Sequence, residues 1–161
     1  MNFERDILPL KNIVFRTALR IVLNREEAED IVQDTLIKLW EHRDDDIHNI
    51  EAFALTIARR LALDRSAKAE THVISLDADL HDRQDEHQLS AHDRMVSDEQ
   101  HSYISQLINS LPEKQRTIIQ LRDIEGKTYR EIADILSITE ADVKVNLFRG
   151  RNFLKNNCKN L

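Results

Sequence analysis

Glycine, proline and cysteine are nearly missing: two, two and one in 161 residues. So few turn-forming residues disfavour a fold of many short strands and favour long helices. The single cysteine, Cys158, excludes an internal disulfide and any multi-cysteine zinc site, and is expected to be a free thiol. No apolar run approaches the roughly 18 residues of a membrane span. The opening stretch MNFERDILPLKNIVF carries acids where a signal peptide would carry cations and an unbroken apolar core. The expectation is a cytoplasmic chain with no membrane insertion. A Ser-His-Asp order, a phosphate-cradling glycine loop and a zinc signature are also missing. No catalytic residue, no cofactor and no enzymatic activity are therefore expected.

What is present is apolar content of 41%, enough for real cores in one domain or two small ones. The net charge is −6, but it is unevenly spread. Residues 1–70 hold 11 Lys/Arg and 14 Asp/Glu, residues 71–102 hold 2 and 8, and residues 103–161 hold 10 and 7. Acid is concentrated in the middle and the last third is net basic. The local footprint, more than the global sum, decides whether nucleic acid is a partner.

The basic third contains TYREIADILSITEADVKVNLFRGR, Thr128 to Arg151. Thr128 and Glu131 form a Thr-x-x-Glu capping pair, followed by Ile132, Ala133, Ile135 and Leu136 on one helical side. Ser137 and Ile138 break the pattern, and Thr139 caps a second helix with Asp142 three residues on. Ala133 is small where two helices must cross, and Ile138 and Val143 fill the angle between them. This is the layout of a helix-turn-helix, whose second helix can enter a major groove. Val143 and Leu147 are expected inward, and Lys144, Val145, Phe148, Arg149 and Arg151 toward DNA. Gly150 lies inside this predicted helix at a cost of about 1 kcal/mol, so it is expected to end the helix early or to let the backbone approach DNA.

Upstream, residues 6–23 repeat apolar positions at helical spacing, with Pro9 tolerable only in a first turn. Asn24 caps a second helix, Arg25 to His42, with Ala28, Ile31, Val32, Thr35, Leu36, Leu39 and Trp40 expected inward. Asp30, Gln33, Asp34, Lys38 and Glu41 form its outer strip. A third helix is expected from the cap Asn49 to about Ser66, with Phe53, Ile57, Ala58, Leu61 and Ala62 inward. Arg59, Arg60, Arg65 and Lys68 cluster in ten residues, dense enough to suggest a nucleic-acid surface. A helix over 98–109 with Tyr103, Ile104, Leu107 and Ile108 inward, then one from Leu111-Pro112 to Arg122 closed by Gly126, complete the pattern.

The segments EEAEDIVQDTLIKLWEHRD and NIEAFALTIARRLALDRSAK resemble the second conserved region of bacterial extracytoplasmic-function (ECF) RNA polymerase sigma factors. The segment LPEKQRTIIQLRDIEGKTYREIADILSITEADVKVNLFRGR resembles their fourth region, in the right order and separation. The resemblance implies an all-α chain of two small helical domains joined by an acidic linker: residues 1–70, 71–102 and 103–161. It implies that Asp30, Gln33, Asp34 and Lys38 meet the β′ clamp helices of core RNA polymerase. By the same resemblance His48, Asn49, Arg59, Arg60, Arg65 and Lys68 face the minus-ten promoter element, whose opening costs a few kcal/mol per unstacked base. Lys144, Val145, Phe148, Arg149 and Arg151 would face the minus-thirty-five element, and the surface near residues 113–122 the β flap. An anti-sigma factor as a further partner is implied too. One position departs: many relatives carry Asn where this chain has Arg60, and Arg cannot accept a hydrogen bond. The family's minus-ten preference is therefore not expected to carry over.

Residues 71–102 hold or border five histidines, His72, His81, His87, His92 and His101. Their spacing gives no tetrahedral set and no cysteine joins them, so no metal site is expected and a solvated linker is. Two alternatives to a promoter-directing subunit remain. One is an autonomous helix-turn-helix regulator, which leaves residues 26–68 unexplained. The other is a sigma-fold interaction protein without promoter recognition.

Overall fold

The computed structural model describes the backbone of residues 1–73 and 98–158, and the side chains of residues 1–68 and 102–158. Helices α1 (Lys11–Val22), α2 (Arg25–Glu41) and α3 (Ile50–Val73) form an N-terminal unit. Helices α4 (Asp98–Asn109), α5 (Glu113–Ile119), α6 (Tyr129–Leu136) and α7 (Glu140–Asn157) form a C-terminal unit. No strand occurs among the described residues.

A π turn (Phe3–Ile7) and a 3-10 turn (Leu8–Leu10) lead into α1, and Pro9 lies in that second turn, ahead of the α-helical ladder it would break. Leu23 adopts φ 57° and its amide donates to the Leu19 carbonyl at 2.8 Å, which ends α1. One residue later the Asn24 side chain accepts from the Glu27 amide at 3.0 Å and starts α2. Asn49 does the same for α3 through the Ala52 amide, also at 3.0 Å. Ala54, Ala58 and Ala62 are fully buried at four-residue spacing. This smooth ridge lets α1 and α2 approach α3 closely, and Ile7, Val14, Ile21, Ile31 and Leu39 fill the space. Trp40, expected inward, is instead 39% exposed. It lies one residue beyond Leu39, about 100° around the helix and off the contact line, and meets Phe3 edge-on at 5.7 Å.

In the C-terminal unit α5 runs into a π turn (Gln120–Ile124). Gly126, at φ 74°, then lets the Lys127 amide return to the Leu121 carbonyl at 2.8 Å. Ile118, Ile119, Leu121, Ile132, Val143 and Leu147 form the core. In α4 only Ile108 is fully inward; Tyr103 and Ile104, expected there, are exposed, and the Tyr103 hydroxyl donates to the Asn157 carbonyl at 3.3 Å. The α4 helix skims the surface of α7.

The two units are docked on each other. Leu55 of α3 is fully buried within the C-terminal core, where Ile13 and Ala52 also pack. Around this apolar patch lies a ring of arginines. Arg116 of α5 donates to the carbonyls of Arg20 and Ile21 at 2.7 and 2.8 Å, and to Leu111 at 2.9 Å. It thereby satisfies acceptors that the end of α1 leaves without an intrahelical partner. Arg20 reaches back to Gln120, Ser105 and Asn109 at 2.9, 3.0 and 2.7 Å. Burial first, and their mutual repulsion for Arg20, lowers the basicity of both guanidiniums. Arg16 is bidentate to Glu125 at 2.6 and 2.9 Å, and Arg59 to Glu113 at 3.2 Å twice. Lys127 pairs with Glu51.

Candidate nucleic-acid interface

The helix-turn-helix forms from local rules. Thr128 and Glu131 make the full reciprocal capping box at the start of α6. Ser137 takes φ 57° at its end, and the Ile138 amide returns to the Ala133 carbonyl at 3.0 Å. Thr139 then caps α7 by accepting from the Asp142 amide at 3.1 Å. The inner face of α7 is Val143, Asn146, Leu147 and Gly150, all buried. Its outer face presents Lys144, Val145, Phe148 and Arg149, with Phe148 68% exposed. An aromatic ring so exposed on a stable helix has no folding role. Beside two cations it can stack on or wedge against a nucleic acid.

Three features of this face escape the sequence pattern. Arg122 lies over the Tyr129 ring at 4.4 Å, and Lys144 over the same ring at 5.4 Å. The ring holds two cations near one another, from segments 22 residues apart. Asp142, which a charge count sets against DNA, is consumed internally: it accepts from Lys114 at 2.7 Å and from Asn146 at 2.9 Å. Arg151 pairs with Asp123, and that hydrogen bond raises its basicity. It is exposed on the same side of α7 as Lys144 and Phe148, seven and three residues on, with its guanidinium tied to the π turn.

Gly150 neither ends the helix, which runs to Asn157, nor approaches a DNA-facing surface. It is buried where α7 crosses α5, and a Cβ there would lie 2.6 Å from Ile119 Cδ1. The glycine is a packing residue, a role invisible to a helix-propensity scale.

The α3 cations do not form one surface. At about 100° per residue, Arg60, Lys68 and Arg65 point roughly 100°, 180° and 240° away from Arg59. Arg59 is turned onto Glu113 of the other unit. Arg65 reaches α2, at 3.2 Å from Asp34 and 3.6 Å from Asp30. Arg60 and Lys68 are exposed, as are His48 and Asn49 at the start of the helix. On α2, Asp30, Gln33 and Lys38 are exposed and Asp34 is half-buried, so the outer strip stands as one surface with Arg65 bracing its acidic end. Exposed Ile37 adds an apolar element that the sequence pattern does not single out.

Among the described residues no cluster of His, Cys, Asp and Glu could hold a metal ion, and no helix is long and apolar enough to cross a membrane. The histidine side chains between residues 72 and 101 lie outside the described residues.

Comparison with known proteins accounts for both units. Residues 7–71 match the Sigma-70 region 2 family and residues 101–154 the Sigma-70, region 4 family. The ECF RNA polymerase sigma factor SigW of Bacillus subtilis is 31% identical, over 97% of this chain and 89% of that protein. SigL of Mycobacterium tuberculosis is 30% identical, over 84% and 76% respectively. In fold, the chain is similar to the sigma factor RpoE in its complex with the anti-sigma factor NepR from Bartonella quintana (TM-score 0.73, 22% identity, 96% of this chain and 94% of that one). It is likewise similar to CnrH in complex with the cytosolic domain of CnrY (TM-score 0.68, 18% identity, 96% and 85%). With both regions matched in order and full-length relatives at this identity, the chain belongs to the ECF RNA polymerase sigma factors, subunits that direct core polymerase to promoters.

Proposed function

We propose that the work is divided among three surfaces. The α2 strip of Asp30, Gln33, Asp34 and Lys38 docks on the β′ clamp helices of core polymerase. The start and outer side of α3, with His48, Asn49, Arg59, Arg60 and Lys68, hold the opened minus-ten strand, while Arg65 braces Asp34. The outer face of α7, with Lys144, Val145, Phe148, Arg149 and Arg151, reads minus-thirty-five duplex. The observation that carries this reading is the two-sidedness of α7: buried Val143 and Leu147 fix its rotation, and exposed Phe148 stands between cations. Residues 1–70 and 103–161 act as two modules, and 71–102 couples two weak sites through effective concentration. The protein acts in the cytoplasm as a non-enzymatic subunit, and an anti-sigma factor is its regulatory partner, as for the structural relatives named above.

Transcription with purified core polymerase tests this. Asp30→Lys reverses charge at an exposed position, and is expected to abolish core binding without changing the melting curve. Retained core binding would remove the α2 strip from the interface. Failure of the unaltered chain to direct initiation from any promoter would overturn the division of labour.

A further inference from the structure

Arg20 of α1 is a cation with no carboxylate partner among the described residues. Its Nε donates to Gln120 Oε1, and its Nη1 to Ser105 Oγ and Asn109 Oδ1. Its Nη2 donates to none of the described residues. Burial lowers its basicity, and Arg116 adds repulsion where an acid would have helped. Arg16, one turn away, is by contrast neutralised by Glu125. Arginine begins so far above neutral pH that Arg20 stays charged, and a sheltered charge without a counterion is costly.

The contacts of Arg20 also fix what its neighbours can offer. A guanidinium only donates, so the amide oxygens of Gln120 and Asn109 must face it and their nitrogens must point elsewhere. Neither Gln120 Nε2 nor Asn109 Nδ2 donates to any described residue, and the Ser105 hydroxyl hydrogen is idle too. Gln120 is only 2% exposed, so its idle donor is deeply set. These residues line one cavity of about 350 Å³ between α1, α4 and the π turn. Leu19, Leu23 and Ile124 supply its apolar wall. The volume lies at the small end of ligand sites, which run from roughly 300 to 1,000 Å³. Such a cavity has a positive charge, an apolar wall and idle side-chain donors, and it asks for acceptor oxygens.

We propose that this cavity is a binding site for a small organic carboxylate with a short branched apolar body. The carboxylate accepts from Arg20 Nη2 and from the idle amides of Gln120 and Asn109, and supplies the counterion that Arg20 otherwise lacks. Its two oxygens offer about four lone-pair sites, enough for these donors and the Ser105 hydroxyl. The apolar body covers Leu19, Leu23 and Ile124. An inorganic anion would leave that wall wet, and a neutral molecule would leave the charge unanswered. The site shares no residue with the α2 strip or the outer face of α7, so it stands whether or not those surfaces have the roles given above.

The test is a titration of the full chain with isovalerate at constant ionic strength, followed by proton-nitrogen spectra of side-chain amides and arginine Nε. Isovaleramide and inorganic phosphate serve as comparisons. Isovalerate is expected to bind with Kd on the order of 1 mM and to move the Arg20, Gln120 and Asn109 signals. Both comparisons are expected to bind at least about tenfold more weakly. Unmoved signals at about 20 mM isovalerate would overturn the site. Equal binding of isovaleramide would overturn recognition by charge, and equal binding of phosphate would overturn the apolar half. Asn109→Asp places a carboxylate of the chain itself on Arg20, where the amide oxygen now stands at 2.7 Å. It is expected to lose isovalerate binding, and retained binding would overturn Arg20 as the anchor. Leu23→Asn keeps the left-handed turn at φ 57°, which asparagine tolerates, and removes part of the apolar wall. It is expected to weaken isovalerate about fivefold and leave phosphate unchanged; unchanged isovalerate binding would overturn the apolar contact.

Discussion

Replacing Gly150 by alanine distinguishes packing from propensity. On propensity alone the change stabilises an interior helical position by about 1 kcal/mol. The structure sets a larger opposing effect. The new Cβ would lie 2.6 Å from Ile119 Cδ1, 3.4 Å from Ile119 Cγ1 and 3.6 Å from Leu111 Cδ1. Only the first contact is intolerable; it falls on the terminal methyl of Ile119, which is 1% exposed and packed in the core of the C-terminal unit. Overpacking of this kind costs about 1–3 kcal/mol, so Gly150→Ala is expected to destabilise by roughly 1 kcal/mol net. Ile119→Val removes the clashing atom alone. In the parent it should cost about 1 kcal/mol as a small cavity. In the Gly150→Ala background it should cost nothing or stabilise, giving a favourable coupling of about 1–3 kcal/mol. Urea unfolding of the four proteins, followed by far-ultraviolet circular dichroism at constant m, measures the cycle. The reasoning is refuted if Gly150→Ala stabilises by itself and the two effects add within about 0.5 kcal/mol.

Other expectations are simpler. Arg149→Ala should lower promoter-directed transcription about tenfold with core binding unchanged, and an equal loss of core binding would assign Arg149 to the fold. The Thr35 hydroxyl is fully buried and makes no hydrogen bond among the described residues. Thr35→Val should therefore raise stability by about 1 kcal/mol in thermal unfolding; a lower melting temperature would reveal a partner for the hydroxyl. Arg116→Lys replaces a fork that serves three carbonyls with a point charge, and should enlarge the radius of gyration of the free protein in small-angle scattering. An unchanged radius would mean that Arg116 does not hold the units together.

The caps at Asn24, Asn49, Thr128 and Thr139 were legible because capping is a rule of neighbouring residues, and each takes its hydrogen bond from the amide three residues on. The rotation of α7 was legible for a related reason: its inward Val143 and Leu147 lie four residues apart, on one face. What stayed hidden depends on elements distant in sequence. Leu55 reads as one more apolar residue of α3, yet it is buried in the core of the other unit. Arg59 reads as a nucleic-acid cation, and nothing nearby in the sequence announces Glu113, 54 residues away. Gly150 reads as a helix defect because propensity contains no term for Ile119. Trp40 and Tyr103 read as inward by apolar character, although amphipathic rings at the margin of a helix face are often left half in water.

The composition of the contact between the units sets what parting it would cost. Its apolar centre is small, with Leu55 fully buried and Ile13 and Ala52 partly so, while its periphery is Arg16, Arg20, Arg59 and Arg116 on carboxylates, amides and carbonyls. An interface of large apolar area would leave two sticky faces exposed once parted, and aggregation would compete with promoter binding. Guanidiniums exchange protein acceptors for water at modest net cost, because water replaces the hydrogen bonds that separation breaks. They also stay protonated although burial lowers the basicity of Arg20 and Arg116, since arginine begins so far above physiological pH. A guanidinium that donates a fork to a carboxylate can donate the same fork to a phosphate without changing charge. Polar docking around a small apolar core gives a contact that holds one arrangement without a large apolar area.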